Sequence, residues 1–588
     1  MKDFFKFMFA SMLGFFLSSI ILFLLFMGFV LTIISLTTQD EVIVNKTSML
    51  HIKLNYDVQD RSNNDPFADF ASIGSFKTTP GLNKILKSID KAKDDDRIKG
   101  IYMNLGDLPS GLATISEIRK SLESFKETGK PIYTYSNVLS QKAYYLATVS
   151  DKIFLNPEGA IDFRGFSSQV VFIKGLLEKL EIEPQVIRHG KFKSAVEPLL
   201  RTDMSDANKE QTLKFIGSMW DNSVNGIAKS RNISSANLNM IADKLKAQNA
   251  NQAYTLQLVD SLIYFDQFLN YLALEIDVDN IKKDNLISLN EYANAKVQSS
   301  KKRSKNKIAV VYASGNIVQG EGESDNIGSD KIARAIRSAR LDKSIKAVVL
   351  RVNSPGGDAL ASDIILREVV LTKKEKPIVV SMGNLAASGG YYIACGADKI
   401  FASPSTITGS IGVFGIIPNF EKFFNNKLGV TFDGVKTNEN ADFISATKPL
   451  TKYQHNIILM EVERIYSTFI KHVAKGRNMT TDEVDAIGQG RVWSGSDAIN
   501  IGLIDEFGGL DEAIEEAKEL ADLEDYRVVE LPKQKEPIEQ IMDDLMGKTR
   551  IKLLQNELGS NYKYYQFYKE VEDMNGIQAR LPIEIEIY

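Results

Sequence analysis

The chain has 588 residues, of which 44% are hydrophobic, so it can build several cores, and its length alone fits roughly three to four domains. Its 71 basic and 75 acidic residues give a formal net charge of -4, which leaves no electrostatic footprint for a nucleic-acid partner. One cysteine, Cys395, set in an apolar run, excludes an internal disulfide, and the four histidines, His51, His189, His455 and His472, stand at no zinc-ligand spacing. Neither a metal nor another cofactor is expected.

Residues 1–8 hold Lys2 and Lys6, and no charged residue follows until Asp40. Residues 9–36, dominated by Leu, Ile, Phe and Val, exceed the ~20 apolar residues that cross a bilayer. The run is too long for an ordinary cleaved signal, and Thr32 to Gln39 (TIISLTTQ) offers no small-x-small cleavage site. An uncleaved single-pass transmembrane helix is predicted. Lysines before it and Asp40 and Glu41 after it predict a cytoplasmic N-terminus, with all that follows on the outer, periplasmic side of the cytoplasmic (inner) membrane.

The remainder is a tandem repeat. Ile98 to Ile101 (IKGI) answers Ile345 to Val348 (IKAV), an offset of 345 − 98 = 247. Asp151 to Phe154 (DKIF) answers Asp398 to Phe401 at 247, Ala228 to Asn232 answers Ala474 to Asn478 at 246, and Leu258 to Asp260 answers Leu503 to Asp505 at 245. So small a drift implies two copies of one fold with few insertions. Residues 45–296 form the first unit, 297–307 (VQSSKKRSKNK) a solvated linker, 308–525 the second unit and 526–588 a C-terminal extension.

Apolar runs of strand length alternate with helical patterns in both units, predicting α/β layers with parallel strands buried between helices. In the second unit the strands are Ile308 to Tyr312, Ala347 to Val352 and Pro377 to Met382. Helices are predicted at Ser329 to Arg340, Tyr391 to Cys395, Asn419 to Phe424 and Lys452 to Lys475, and Thr480 to Glu483 has the shape of a helix start. In the extension, Ile583 to Ile587 alternates as an edge strand does. Tyr562 to Tyr568 (YKYYQFY) is an aromatic cluster expected to pack on the body.

Two loops carry chemistry-bearing residue types. Asn353 to Gly357 (NSPGG) follows a strand, and its glycines leave backbone N–H groups unshielded, as an oxyanion hole requires; alone it reads as an ordinary strand-to-helix turn. Ala386 to Gly390 (AASGG) exposes a serine at a helix N-terminus, where developing negative charge is favoured; alone it reads as close packing. The first unit has Gln141-Lys142 where the second has Ser388-Gly389, so it lacks this nucleophile. A nucleophilic serine needs a base, and no histidine falls in these loops. A lysine is the alternative, although one with an ordinary pKa is only about 0.1% neutral near pH 7.4 and must be desolvated or set among cations. The stretch Arg188 to Pro198 has lysine between apolar residues with other cations close by, and His189 in the same stretch is the rival base.

The motifs KFKSAVEP (Lys191 to Pro198), NSPGG (Asn353 to Gly357), AASGGYY (Ala386 to Tyr392), TGSIGVFG (Thr408 to Gly415) and GRVWSGSDA (Gly490 to Ala498) are together highly specific. Over residues 45 to 525 the chain resembles the signal peptide peptidase A (protease IV) family in its long, tandem-domain form. The resemblance implies two ClpP/crotonase-like α/β domains and a Ser/Lys dyad with Ser388 as nucleophile and Lys193 as general base. It further implies that Ser410 orients the lysine and that the N–H groups of Gly357 and Gly389 hold the oxyanion. The position aligned with Lys193 in the second unit is near Glu439 (193 + 246 = 439), so each unit keeps one member of the dyad. The implied function is membrane-anchored cleavage of signal peptides and other hydrophobic peptides, and the implied assembly is a homotetramer. A crotonase-type acyl-CoA hydratase or isomerase, whose acidic catalysts have no clear counterpart in these loops, and an inactive membrane scaffold are the other readings.

Overall fold

The computed structural model describes residues 2–37, 42–62, 79–295, 304–323, 325–534 and 576–580. The helix Lys2–Thr37 leads the chain, and its stretch Asp3–Leu25 is long and apolar enough to cross a membrane. Phe7, Phe15 and Leu22 on it are exposed.

Each unit is an α/β layer structure around a parallel sheet. In the first, the strand order is Ser261–Leu262, Lys152–Ile161, Ile132–Leu139, Ile98–Asn104, Ser48–Lys53 and Leu286–Ser288. Alternate residues go to opposite faces. Ile101, Met103 and Ile132 join one core with the helices Leu82–Lys93 and Leu112–Lys126, whereas Tyr102, Tyr133 and Tyr135 join another with the helix Phe265–Glu275. Leu82, Ile85, Leu86 and Ile89 show why the first helix docks, since their spacing keeps them on one stripe. The second unit repeats the plan with Ile407–Gly409, Ile378–Ala387, Ile345–Ser354, Lys307–Ser314 and Arg527–Leu531 in order, and Val492–Ser494 pairs antiparallel at the far edge. Again the sheet is covered on both sides: Val348, Leu350 and Val352 face one core, Ala347 and Val349 the other beside the helix Leu510–Leu520.

A third, six-stranded sheet joins the units. Its order is Asn326–Gly328, Asn316–Val318, Gly356–Asp358, Gly576–Arg580, Phe414–Asn419 and Glu183–Arg188. Glu183–Arg188 comes from the first unit and runs antiparallel to Phe414–Asn419 over six residue pairs, from Phe414 opposite Arg188 to Asn419 opposite Glu183. This pairing displaces the short helix expected from Asn419 to Phe424. Residues through Asn419 are held in the strand, Pro418 lies opposite Pro184 so that neither place lacks a donor it needs, and a wide helical turn follows at Phe423–Leu428.

The second unit's sheet also runs past residue 525, because Arg527–Leu531 lies parallel to Lys307–Ser314. The alternation at 583–587 and the aromatic cluster at 562–568 lie outside the described residues. The strands described in the extension are Arg527–Leu531 and Gly576–Arg580.

A buried charge cluster ties the units together. Arg351, 0% exposed, donates to Asp60 and to Glu117 of the first unit at 2.7 Å each and to Ser381 at 2.8 Å. Glu117 also accepts from the Leu510 N–H at 2.7 Å. Asn384 adds a fork on Thr114, accepting from its N–H at 3.0 Å and donating to its hydroxyl at 2.8 Å.

Candidate active site

The strand Ile378–Ala387 ends directly at the helix Gly389–Ala394, and Ser388 is the single residue between them. Its φ of 54° and ψ of -113° are positions a side-chain-bearing residue rarely adopts. Such a turn costs of order 1–3 kcal/mol and persists where the surrounding structure fixes it. Here the fixing bonds are Ser388 N–H to Gly409 O at 2.8 Å and Tyr392 N–H to Ser388 O at 2.8 Å. Ser410, in the neighbouring loop, also has a positive φ, 49°, and its N–H donates to Arg491 O at 2.7 Å.

Lys193 arrives from the first unit, on the loop that follows Glu183–Arg188. That loop is docked onto the second unit through its backbone: His189 N–H donates to Val413 O at 3.1 Å and Phe192 N–H to Gln489 O at 3.0 Å. Gln211 clamps it from the helix Asp206–Arg231, donating to Phe192 O at 3.1 Å and Ser194 Oγ at 2.9 Å while accepting from Val492 N–H at 3.2 Å. The chain path brings Lys193 Nζ to 2.9 Å from Ser388 Oγ, 3.1 Å from Ser410 Oγ and 3.2 Å from Ser410 O. All three side chains are 0% exposed.

Among the described residues no carboxylate pairs with this lysine. Glu197 in the same motif is buried, but it accepts from Ser205 N–H, Ser205 Oγ and Asn208 Nδ2 at 3.1, 2.5 and 3.0 Å. Burial therefore holds the Lys193 amine well below the usual lysine range. The neighbouring cations, offered by the sequence as a second cause, are not needed: desolvation alone produces the shift. His189, the rival base, stacks on Tyr466 with ring centroids 4.1 Å apart. The thiol of Cys395 is pushed up to about 12 by burial, which removes it as a nucleophile.

The two glycines expected to hold an oxyanion lie beside the serine. A Cβ built on Gly356 would stand 2.7 Å from Gly389 N, so the Pro-Gly-Gly loop and the helix start abut, with Gly357 next along the strand Gly356–Asp358. Sequence reasoning missed Gly490. Its φ is +83°, and a Cβ there would lie 2.6 to 2.7 Å from Lys193 N, Cα and Cβ, so only glycine lets the loop seat the lysine. The signal was present in the motif Gly490 to Ala498, read there as a family mark without a steric role. Among the described residues no group of three or more His, Cys, Asp or Glu side chains could hold a metal ion.

The model of peptidase family S49 matches residues 124–279 and 371–524, two copies whose starts are 371 − 124 = 247 residues apart, the offset of the repeat. The chain is 41% identical over 450 residues to Protease 4 of Haemophilus influenzae, covering 74% of this chain and 72% of that one. It is 38% identical over 486 residues to Protease 4 of Salmonella typhi, covering 80% and 77%. It is 30% identical over 514 residues to the chloroplastic serine protease SPPA of Arabidopsis thaliana, covering 86% and 75%. The chain belongs to peptidase family S49 and is a serine peptidase with two tandem family domains.

Proposed function

We propose that Ser388 is the nucleophile and Lys193 the general base of this peptidase, in a dyad made of one residue from each unit. The observation that carries the reading is a fully buried amine, without a counter-charge, 2.9 Å from a hydroxyl on a strained turn. A neutral amine has two N–H donors and one lone pair, and this site matches that inventory. With its two donors on Ser410 O and Ser410 Oγ, the amine turns its lone pair to Ser388 Oγ at 2.9 Å and takes its proton once the hydroxyl swings from Gly412 O, 3.3 Å away.

The oxygen of Ser388 then attacks a peptide carbonyl, and the charge that develops is received by the N–H groups of Gly357 and Gly389. Lys193, now an ammonium in a dry site, returns its proton to the leaving amine. A water that enters after the amine departs gives its proton to Lys193 and hydrolyses the acyl-enzyme. Ser410 is the positioning residue that holds the amine throughout.

The helix Lys2–Thr37 anchors the enzyme in a membrane, with its N-terminus cytoplasmic and both units outside, since Lys2 and Lys6 precede the apolar run and Asp40 and Glu41 follow it. An enzyme so tethered meets cleaved signal peptides and other hydrophobic peptides as they leave the bilayer. Four copies form the assembly that the resemblance implies. Hydrolysis of a fluorogenic hydrophobic peptide tests the dyad: Ser388→Ala and Lys193→Ala each lose turnover while keeping the native circular dichroism spectrum, and a folded Lys193→Ala enzyme that turns over normally sinks the assignment.

A further inference from the structure

The strand Gly576–Arg580 (GIQAR) is inserted between the two edges that flank Ser388. On one side it runs antiparallel to Gly356–Asp358, with Ala579 opposite Gly357. On the other it runs antiparallel to Phe414–Asn419, with Gln578 opposite Phe414 and Gly576 opposite Ile416. Both edges belong to the site: the first contains Gly357, and the second continues the loop that carries Ser410.

Ala579 is 0% exposed. Its carbonyl oxygen lies so close to the site glycines that a Cβ on Gly356 would stand 2.1 Å from it and one on Gly389 3.0 Å from it. A carbonyl of the extension thus rests against the two glycine segments proposed to receive the oxyanion. An extended chain, hydrogen-bonded along both edges with one carbonyl at that place, has the pose a peptide needs for attack by Ser388.

We infer that residues 576–580 are a built-in occupant of the substrate groove and compete with peptide substrates for it. The inference rests on the proposed function, because it takes the space beside Ser388 as the groove. Substrates bind there as an added strand on both edges, with a small side chain at the place of Ala579, which is fully enclosed. A segment on the same chain rebinds intramolecularly, so an untethered peptide has to displace it.

The test uses the full chain with Ala579→Trp, whose indole does not fit an enclosed methyl site, and independently Gln578→Pro, which breaks the pairing without added bulk in that site. In a Ser388→Ala background, binding of the fluorescein-labelled peptide Gly-Ile-Gln-Ala-Arg is followed by anisotropy. Each tail variant is expected to bind it about 10-fold or more tightly than the chain with the native tail, as removal of an intramolecular competitor requires. With Ser388 intact, KM for a fluorogenic peptide falls by a similar factor and kcat stays unchanged. Equal or weaker peptide binding in both variants overturns the inference. Tighter binding in chains that show no turnover even with Ser388 present upholds the occupant and removes only the peptidase mechanism.

Discussion

Gln141 and Ser388 hold the same place in two copies of one fold (141 + 247 = 388), and their surroundings differ in a way that separates scaffold from site. In the first unit the strand Ile132–Leu139 meets the helix Gln141–Ala147 through Ser140 in a relaxed extended conformation, φ -66° and ψ 161°. Gln141 then fills the turn, accepting from the N–H groups of Arg164 and Gly165 at 2.9 and 2.7 Å and donating to Gly165 O at 3.0 Å. In the second unit the turn is strained at Ser388, and the loop equivalent to Gly165 (165 + 247 = 412) offers Gly412 O at 3.3 Å from Ser388 Oγ. Strain is kept only in the copy where a hydroxyl has to be aimed, and the other copy has spent the same position on hydrogen bonds. The converse holds for Lys193, whose counterpart near Glu439 is exposed in a stretch without helix or strand. Each copy has surrendered what the other supplies.

The sharpest way to break this contrast is to move the chemistry. Ser388→Ala or Lys193→Ala is expected to lower kcat/KM by about 10⁶-fold, as loss of a nucleophile or its base does, while Gln141→Ser in the first unit, measured with the same peptide, changes nothing and rescues neither. If the units act only as one body, cutting the charges between them should show it next. Arg351→Met leaves Asp60 and Glu117 buried without their counter-charge and is expected to cost about 3–5 kcal/mol in urea unfolding; a loss below 1 kcal/mol would mean the cluster is not what joins them. Gly490→Ala pushes the Lys193 loop out of place without touching the dyad chemically. A displacement of about 1 Å costs of order 10²-fold, so kcat should drop by that factor with the fold retained.

The titration of Lys193 sharpens the same point. Its folded pKa is depressed below the unfolded value, so between the two the unfolded chain binds the extra proton and stability rises with pH, by about 1.4 kcal/mol per unit in that window. Activity follows the same sign. The kcat/KM profile should lose about tenfold per unit as pH falls below the folded pKa of Lys193, with a midpoint well under that of a free lysine. The smallest effect is expected at His189: His189→Ala removes a ring stack on Tyr466 worth about 0.5–1.5 kcal/mol of stability and leaves most of the turnover.

Much of this was legible in the residues. Near-constant offsets revealed the duplication and alternating apolar runs the layered sheets, and small residues around Ser388 marked a sharp turn, although its hydroxyl is buried rather than exposed. Lys193 was singled out by the family resemblance and not by its neighbours, which mark only the stretch Arg188 to Pro198. The rest depended on which edges close in space. Nothing local marks Glu183–Arg188 as a partner of Phe414–Asn419, since strand pairing reflects neighbours more than intrinsic preference. For the same reason the helix expected from Asn419 starts only after it, because that pairing holds Asn419 in the strand, and Gly576–Arg580 was overlooked in favour of the alternation that follows it. Arg351, within a strand otherwise rich in Val and Leu, gave no hint that its partners lie in the other unit, and Gly490 acquires its role only once Lys193 stands against it.

The central claim is that the amine from the first unit activates the hydroxyl of the second, and covalent labelling tests it most directly. A fluorophosphonate probe, with the modified residue located by tryptic mass spectrometry, is predicted to attach to Ser388 in the native chain, to be lost in Ser388→Ala, and to react at least about 10²-fold more slowly in Lys193→Ala, the lower range for general-base assistance. Labelling that persists in Ser388→Ala, or that proceeds at an unchanged rate in Lys193→Ala, contradicts it.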